Sequence, residues 1–202
     1  MTPLEYFTGP MLSLDGWCPT DKALKIYTTI KSLSAPLAGV EIGVFGGRSL
    51  IPAAMGARDG PGGHILGVDP YSAAAAQEFS NAQAETEWWG ALDYDAHFQR
   101  CDAEIARLEL RNFCGIARST SQAVSHLFAD LNYAHIDGNH NEAAVRRDLV
   151  HWLPKILVGG ILVLDDTNDV EIRAAMTIMN STWVKIWGTP TWEIWTRIKE
   201  RT

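Results

Sequence analysis

Residues 133–140 read Tyr-Ala-His-Ile-Asp-Gly-Asn-His, a short apolar run that stops at a polar turn. A second run, Gly-Ile-Leu-Val-Leu at 160–164, ends in the same way at Asp165 and Asp166. Short apolar runs bounded by polar turns are typical of interior strands of a parallel sheet. Because ligands of open α/β sheets bind outside the carboxyl ends of the strands, Asp137, Asp165 and Asp166 are predicted to converge on one crevice.

Three carboxylates in one crevice predict a cation site. Carboxylates held close together repel each other, and a cation among them allows all three to stay ionised. An all-oxygen ligand set suits Mg²⁺, Ca²⁺ or Mn²⁺ rather than zinc. The alternative for Asp166 is the N-cap of a helix that begins near Asn168, which would leave only two metal carboxylates.

The composition indicates a packed globular chain. A length of 202 residues suits one domain with a full core, and 47% apolar residues agree with that. The net charge of −7 and the lack of a basic run argue against a nucleic-acid partner. The three cysteines, Cys18, Cys101 and Cys114, are widely spaced, which fits a reducing compartment and gives no metal-ligand spacing.

No segment of the sequence predicts export or a membrane span. The N-terminal residues lack the basic and then apolar pattern of a signal peptide, and no apolar stretch reaches membrane-spanning length. We therefore expect a soluble, cytoplasmic protein without a membrane partner.

Strands that alternate with helices predict a three-layer α/β fold. Strands are expected at 40–44, 64–69, 112–117, 133–136 and 160–164, and helices at 20–33, 48–57, 93–109, 121–129, 142–157 and 170–180. Alternation in residues 183–198 then predicts an antiparallel hairpin. The tail tryptophans are expected in the core or at the contact of a homo-oligomer; they are Trp183, Trp187, Trp192 and Trp195.

Two segments outside this pattern are predicted to approach the site. Residues 1–36 form an N-terminal arm and a helix that Thr20 or Asp21 would cap, with Leu24, Tyr27, Ile30 and Leu33 on its inner face. Trp17 in the arm is a candidate cover for cofactor or substrate. Residues 70–91, which carry Trp88 and Trp89, are predicted to be a lid.

A glycine turn follows the first predicted strand, where Gly43, Gly46 and Gly47 allow the backbone to approach a ligand before a helix begins. The spacing is not G-x-G-x-x-G, and Glu41 would repel a pyrophosphate but favour a cationic amino group. Asp69 ends the second strand about 20 residues further on, where an acid accepts hydrogen bonds from ribose hydroxyls. The implied ligand has a ribose and a cationic or zwitterionic part, unless the glycines merely turn the chain.

These residues resemble those of class I S-adenosylmethionine-dependent methyltransferases. The resemblance rests on Glu41-x-Gly43-x-x-x-Gly47-x-Ser49, Asp69, Ser119-Thr120-Ser121 and Asp137-Gly138. Within that superfamily, the chain resembles metal-dependent O-methyltransferases of natural-product sugars, the macrocin and mycinamicin type and their cephalosporin-hydroxylase-like relatives. That narrower resemblance rests on Asp137-Gly-Asn-His140, Gly159-Gly160 and Asp165-Asp166.

The resemblance implies a single methyltransferase domain over 1–202. Its fold would be Rossmann-like with three layers, a mostly parallel sheet and an antiparallel C-terminal hairpin. It also implies a cofactor site for S-adenosylmethionine. The methionine part would be lined by Glu41, Gly43, Gly47 and Ser49. Asp69 would hold the ribose, and Tyr71 would flank the adenine. The adenine edge would be contacted by Ser119, Thr120 and Ser121, with Asp137 beside them.

For catalysis, the resemblance implies that Asp137, Asp165 and Asp166 hold Mg²⁺ or another divalent cation. The cation would bind the substrate hydroxyl, lower its pKa and fix its oxygen in line with the methyl group. Asp137 and His140 are the predicted catalytic residues, with His140 as general base because the pKa of imidazole is ~6.5. The alternative for His140 is a cap of the following helix.

The predicted function is metal-assisted transfer of a methyl group from S-adenosylmethionine to a hydroxyl oxygen of a small molecule. A small acceptor is favoured because only a short arm and one insertion are left for substrate contacts. One alternative is a nicotinamide-dependent oxidoreductase, against which Glu41 and the missing G-x-G-x-x-G argue. The other is a non-catalytic S-adenosylmethionine-binding module, against which the intact set of aspartates and His140 argues.

Overall fold

The computed structural model of the chain describes residues 1–78 and 83–199. The described residues form a seven-stranded sheet. In chain order its strands are β1 (Leu37–Ile42), β2 (Gly63–Val68), β3 (Cys114–Ala117), β4 (Leu131–Ile136), β5 (Ile156–Leu164), β6 (Trp183–Gly188) and β7 (Glu193–Arg197). They lie side by side in the order β3-β2-β1-β4-β5-β7-β6.

Most of the sheet is parallel. β1 pairs in parallel with β2 and β4, β2 with β3, and β4 with β5. β7 is antiparallel to β5, and β6 is antiparallel to β7. The predicted α/β fold with a mostly parallel sheet and an antiparallel C-terminal hairpin is therefore confirmed.

Helices cover both faces of the sheet. Those in the described residues are α1 (Pro3–Thr8), α2 (Thr20–Lys31), α3 (Leu50–Arg58), α4 (Ala73–Ala76), α5 (Gln83–Gly90), α6 (Tyr94–Arg107), α7 (Ser121–Ser125), α8 (Glu142–Trp152) and α9 (Val170–Met176). None of them is both long and apolar enough to cross a bilayer.

Two hydrophobic clusters lie on opposite faces of the sheet and give it three layers. One cluster includes residues of α2, α3 and α6, and the other includes residues of α8 and α9. On β5, Val163 belongs to the first cluster, whereas Leu162 and Leu164 belong to the second. This alternation is expected because successive side chains of a strand point to opposite faces.

Helix α2 differs from its prediction at its start and on its inner face. It begins at Thr20 with Pro19 as the N-cap, so neither Thr20 nor Asp21 caps it. Leu24 is exposed, and its predicted inward position is wrong. α2 packs against α3, and its buried face is formed by Lys22, Ala23, Ile26, Tyr27 and Ile30.

Other element ends differ from the predicted ones by a few residues. α3 begins at Leu50, and β3 begins at Cys114. α8 ends at Trp152 and a short 3₁₀ turn, Leu153–Lys155, follows it. Pro154 explains this end, because a proline inside a helix removes a hydrogen bond and clashes with the preceding turn.

The segment predicted as a lid contains α4 and α5, and its residues 79–82 lie outside the described residues. Glu78 attaches the described part to the end of β4 and to α8. Its backbone carbonyl accepts a hydrogen bond from Asn139 at 2.8 Å, and its carboxylate pairs with Arg147 at 2.8 Å. Movement of this segment as a lid stays a prediction.

The tail tryptophans belong to the interior of the sheet's antiparallel end. Trp183 and Trp192 are buried, and the rings of Trp187 and Trp192 lie with their centroids 4.5 Å apart. Trp195 packs against the cluster of α8 and α9. Core packing therefore accounts for these side chains, and the homo-oligomer stays a prediction.

Candidate active site

Four parallel strands end at the same level of the sheet. Ile42 of β1 is in register with Val68 of β2 and Ile136 of β4, and Ile136 is in register with Leu164 of β5. Each strand is followed at once by a residue singled out from the sequence. The structure therefore brings together Gly43, Asp69, Asp137 and Asp165 at one edge.

Gly43 is the point at which the turns after β1 and β4 approach most closely. Its φ is +84°, in the left-handed region that favours glycine. A Cβ at this position would overlap the carbonyl of Asp137 and the Cα of Gly138. The glycine is thus required both by its backbone conformation and by its neighbour.

Glu41 lies beneath the glycine turn. Its carboxyl group is 0% exposed, accepts a hydrogen bond from the Ser49 hydroxyl at 3.0 Å and lies 3.0 Å from Nδ1 of His135. Burial raises the pKa of Glu41 to about 8 and lowers the pKa of His135 to about 3. The buried Glu41 and Ser49 join the end of β1 to the start of α3, and a direct contact of either with a cofactor stays a prediction.

Asp69 fastens the glycine turn from the end of β2. Its Oδ2 accepts hydrogen bonds from the backbone N–H of Val44 at 3.0 Å and of Phe45 at 2.9 Å, and its Oδ1 accepts one from Tyr71 at 2.7 Å. Each carboxylate oxygen has two acceptor positions, so Oδ1 keeps one for a ligand hydroxyl. The position therefore suits the predicted ribose contact.

Tyr71 is buried beside the same turn. Its hydroxyl donates to the Phe45 carbonyl at 2.8 Å, and its ring packs edge-on against Phe98 with centroids 5.4 Å apart. Burial raises the pKa of the Tyr71 hydroxyl, which keeps it a donor. These contacts give Tyr71 a role in holding the turn, beside its predicted role at the adenine.

The segment after β3 joins the site through backbone and capping contacts. Ser119 N–H donates to the Asp69 carbonyl at 3.2 Å, and Thr120 caps α7. Ser121 is buried, and its hydroxyl donates to Asp148 of α8. Burial raises the pKa of Asp148 to about 6. Sequence reasoning missed Asp148, because nothing distinguishes it from the solvated charges of α8.

Lys22 lies between two of the predicted metal carboxylates. Its side chain comes from α2, and its ammonium Nζ contacts Oδ2 of Asp165 and lies 3.4 Å from Oδ2 of Asp137. Sequence reasoning missed this lysine. The available signal was its spacing, since Lys22 stands four residues before Ile26 and so shares the buried face of α2.

Asp166 and His140 form a second pair at the same edge. Nε2 of His140 lies 3.0 Å from Oδ2 of Asp166. The carboxylate raises the pKa of His140, and the imidazole lowers the pKa of Asp166. Both capping alternatives are wrong, because Asp169 caps α9 and Asn141 caps α8.

The three aspartates do not form one ligand set. In the part of the chain that the structure describes, potential ligand atoms form two groups that share Asp137, one with His135 and Asp165 and the other with His140 and Asp166. The first group already has the Lys22 ammonium against two of its carboxylates. As arranged, these residues do not fit a divalent cation held by Asp137, Asp165 and Asp166 together.

An aromatic cluster lies outside the glycine turn. Trp17, which is 69% exposed, stacks on Phe45 with ring centroids 5.4 Å apart and an interplanar angle of 17°. Trp88 and Trp89 contact Trp17 from α5 at 5.7 Å and 6.2 Å between centroids. The N-terminal arm and the predicted lid therefore meet above Phe45.

Comparison with known families assigns the class of protein. The family described as "Methyltransferase domain" matches residues 40–167, which is more than half of the chain. The match spans the glycine turn, Asp69 and both aspartate-bearing strand ends. The chain belongs to this methyltransferase family, and its sheet has the Rossmann-like methyltransferase fold.

Solved structures with a similar fold include several methyltransferases. An O-methyltransferase from Bacillus cereus in complex with SAH has a TM-score of 0.61 and 14% identity, over 98% of this chain and 90% of that one. The O-methyltransferase NovP has a TM-score of 0.71 and 13% identity, over 90% of this chain and 81% of that one. TomG from Streptomyces achromogenes is an O-methyltransferase involved in tomaymycin synthesis, and its structure contains SAM. It has a TM-score of 0.62 and 12% identity, over 98% of this chain and 87% of that one. At these identities the likeness concerns the fold.

Proposed function

We propose that this protein transfers a methyl group from S-adenosylmethionine to a hydroxyl oxygen of a small molecule. The observation that carries the proposal is the placement of the Asp69-fastened glycine turn and the His140–Asp166 pair at one edge of a methyltransferase-family sheet. The cofactor and the oxygen acceptor are supported by the similar structures, which are O-methyltransferases, two of them with SAH or SAM.

The cofactor would lie across the glycine turn. Its ribose hydroxyls would donate to the remaining acceptor position of Asp69 Oδ1, and its methionine part would lie along Gly43 and Gly47. Ser119 and Thr120 follow the neighbouring strand end, where the adenine edge would lie. Asp137 would lie beside the cofactor, because Gly43 contacts its backbone.

His140 would accept the proton of the acceptor hydroxyl. A carboxylate can only accept, so Nε2 of a neutral His140 donates to Asp166 and leaves the lone pair of Nδ1 for the proton. The acceptor oxygen would attack the methyl carbon, the carbon–sulfur bond would break, and sulfur would keep the electron pair as a neutral thioether. Positioning of the oxygen in line with that bond would contribute most of the rate.

Asp137 and Asp165 already have a cationic partner in Lys22, which disfavours the predicted divalent-metal assistance. The proposed methyl transfer therefore uses only groups of the chain, the cofactor and the acceptor. The nicotinamide alternative is disfavoured by the family match and by the buried Glu41 carboxyl group under the turn.

Calorimetry with S-adenosylhomocysteine and NAD tests the proposal. We expect micromolar binding of S-adenosylhomocysteine, on the order of −8 kcal/mol, and no saturable binding of NAD. Asp69→Asn should weaken the binding by about 10- to 100-fold, because a hydrogen bond to a charged group contributes ~1.5–3 kcal/mol. Asp102→Asn is the matched control, since Asp102 pairs with Arg111 on the surface of α6. NAD binding without a response to S-adenosylhomocysteine would reject the methyltransferase function.

A further inference from the structure

Lys22 is one of the largest fully buried side chains of the described structure, with 1% of the residue exposed. Lysine is almost never buried to this degree unless its charge is paired. Here the partners are Asp137 and Asp165, which follow the neighbouring parallel strands β4 and β5. A single ammonium therefore joins two strand ends.

The two carboxylates need a positive charge between them. Parallel neighbouring strands bring Asp137 and Asp165 close together, and two ionised carboxylates at that spacing repel each other. Lys22 supplies that charge, because its ammonium contacts both carboxylates. Asp166, at the same edge of the sheet, adds negative charge and is itself paired with His140.

The body of α2 holds Lys22 in this position. Ala23, Ile26 and Ile30 of α2 are fully buried, and the Thr20 hydroxyl donates to the Phe7 carbonyl at 3.1 Å. The Lys22 side chain itself is 2% exposed. The packing of α2 therefore places the ammonium at the strand ends, away from solvent.

We propose that Lys22 is the resident cation of Asp137 and Asp165 and takes the place that a divalent metal ion would otherwise fill. Lys22 is a positioning residue: it offsets the repulsion between the two carboxylates and fixes their side chains at the edge where the cofactor and acceptor would meet. The inference rests on these contacts and does not require methyl transfer.

Manganese binding to the protein alone tests this assignment. Chelator-treated protein is titrated with Mn²⁺, and free Mn²⁺ is followed by its electron paramagnetic resonance signal. We expect wild-type protein to bind Mn²⁺ no more tightly than about 1 mM, the weak end of protein sites for hard cations. Lys22→Met should bind it at least about 100-fold more tightly, because a unit charge a few ångströms from the ion is removed. Lys22→Arg should behave as wild type.

Controls separate the local charge from general effects. Lys25→Met removes a lysine from the same helix whose ammonium lies over the Trp187 ring, 5.1 Å from its centroid, and should leave Mn²⁺ binding unchanged. Lys22→Met combined with Asp165→Asn should lose the gained site. Lys22→Gln replaces Lys22→Met if that variant does not fold, and the wild-type titration decides if neither folds.

The outcomes are distinct. Weak Mn²⁺ binding by the wild type, together with tighter Mn²⁺ binding by Lys22→Met, supports Lys22 as the resident cation. Wild-type binding tighter than about 1 mM, or a Lys22→Met variant that binds no better than wild type, overturns it. Because neither cofactor nor acceptor is present, a failure of the proposed methyl transfer leaves this result readable.

Discussion

Gly43→Ala tests how closely the turns after β1 and β4 must approach. The new methyl group would overlap the carbonyl of Asp137, and the residue would keep a φ of +84°. Gly62→Ala is the matched control, because Gly62 has a φ of +75° but nothing within 4 Å of an added Cβ. The two substitutions share the backbone cost and differ in the overlap.

The expected losses of unfolding free energy follow from these two terms. The left-handed conformation costs alanine ~1–2 kcal/mol, partly offset by ~0.4–1 kcal/mol from the stiffer unfolded chain, so Gly62→Ala should lose about 1 kcal/mol. Overpacking adds ~1–3 kcal/mol, so Gly43→Ala should lose roughly 2–4 kcal/mol. At a urea slope of about 2 kcal/mol/M, the midpoints should differ by about 0.5–1.5 M.

Urea unfolding followed by tryptophan fluorescence measures this difference, and Trp152, Trp183 and Trp192 are buried reporters. Binding of S-adenosylhomocysteine should also weaken in Gly43→Ala, because relief of the overlap moves Asp137, and should be unchanged in Gly62→Ala. Equal losses of stability in the two variants would refute the close approach and leave only the backbone conformation to explain Gly43.

Two further predictions concern His140 and Asp148. His140→Gln should lower the rate of methyl transfer to an identified hydroxyl acceptor by ~10²–10⁴-fold, while S-adenosylhomocysteine binding stays the same. The control His151→Gln on α8 should keep its turnover. Undiminished turnover in His140→Gln would show that His140 is not the proton acceptor. Burial raises the pKa of Asp148 from 3.8 to about 6, so the folded state binds this proton more tightly and stability falls as pH rises between those values, by about 3 kcal/mol in all. Asp148→Asn should make the fall in stability between about pH 4 and 6, measured by urea unfolding, less steep, and a curve parallel to that of the wild type in this range would contradict the assignment.

The elements that the sequence predicted are those with local signals. Apolar runs that end in acids located β4 and β5, and the alternation at 183–198 located the hairpin. Glycine spacing predicted the turn at Gly43, because a positive φ restricts the choice of residue. The placement of Asp69 followed from the parallel order of the strands.

What the sequence did not predict depends on contacts between distant residues. The spacing of Lys22 to Ile26 indicates a shared helix face, but only the tertiary fold brings the ammonium to Asp165, 143 residues later. The bonds of Asp69 to the turn are equally non-local, since an acid that binds ribose and one that fastens backbone N–H groups look alike in the sequence. Leu24 was misplaced because apolar spacing does not say which row of α2 meets α3.

The position of β7 has a consequence for the order in which the chain can fold. β7 lies between β5 and β6 and covers an edge of β5 that includes Ile161, Leu162, Val163 and Leu164. During synthesis this apolar edge is made before its partner, and unpaired apolar edges promote aggregation between chains. The sheet beside Asp165 is therefore complete only after residues 193–197, which form β7, have been synthesised. A chain released from the ribosome before that point leaves the edge of β5 open to pairing with other nascent chains.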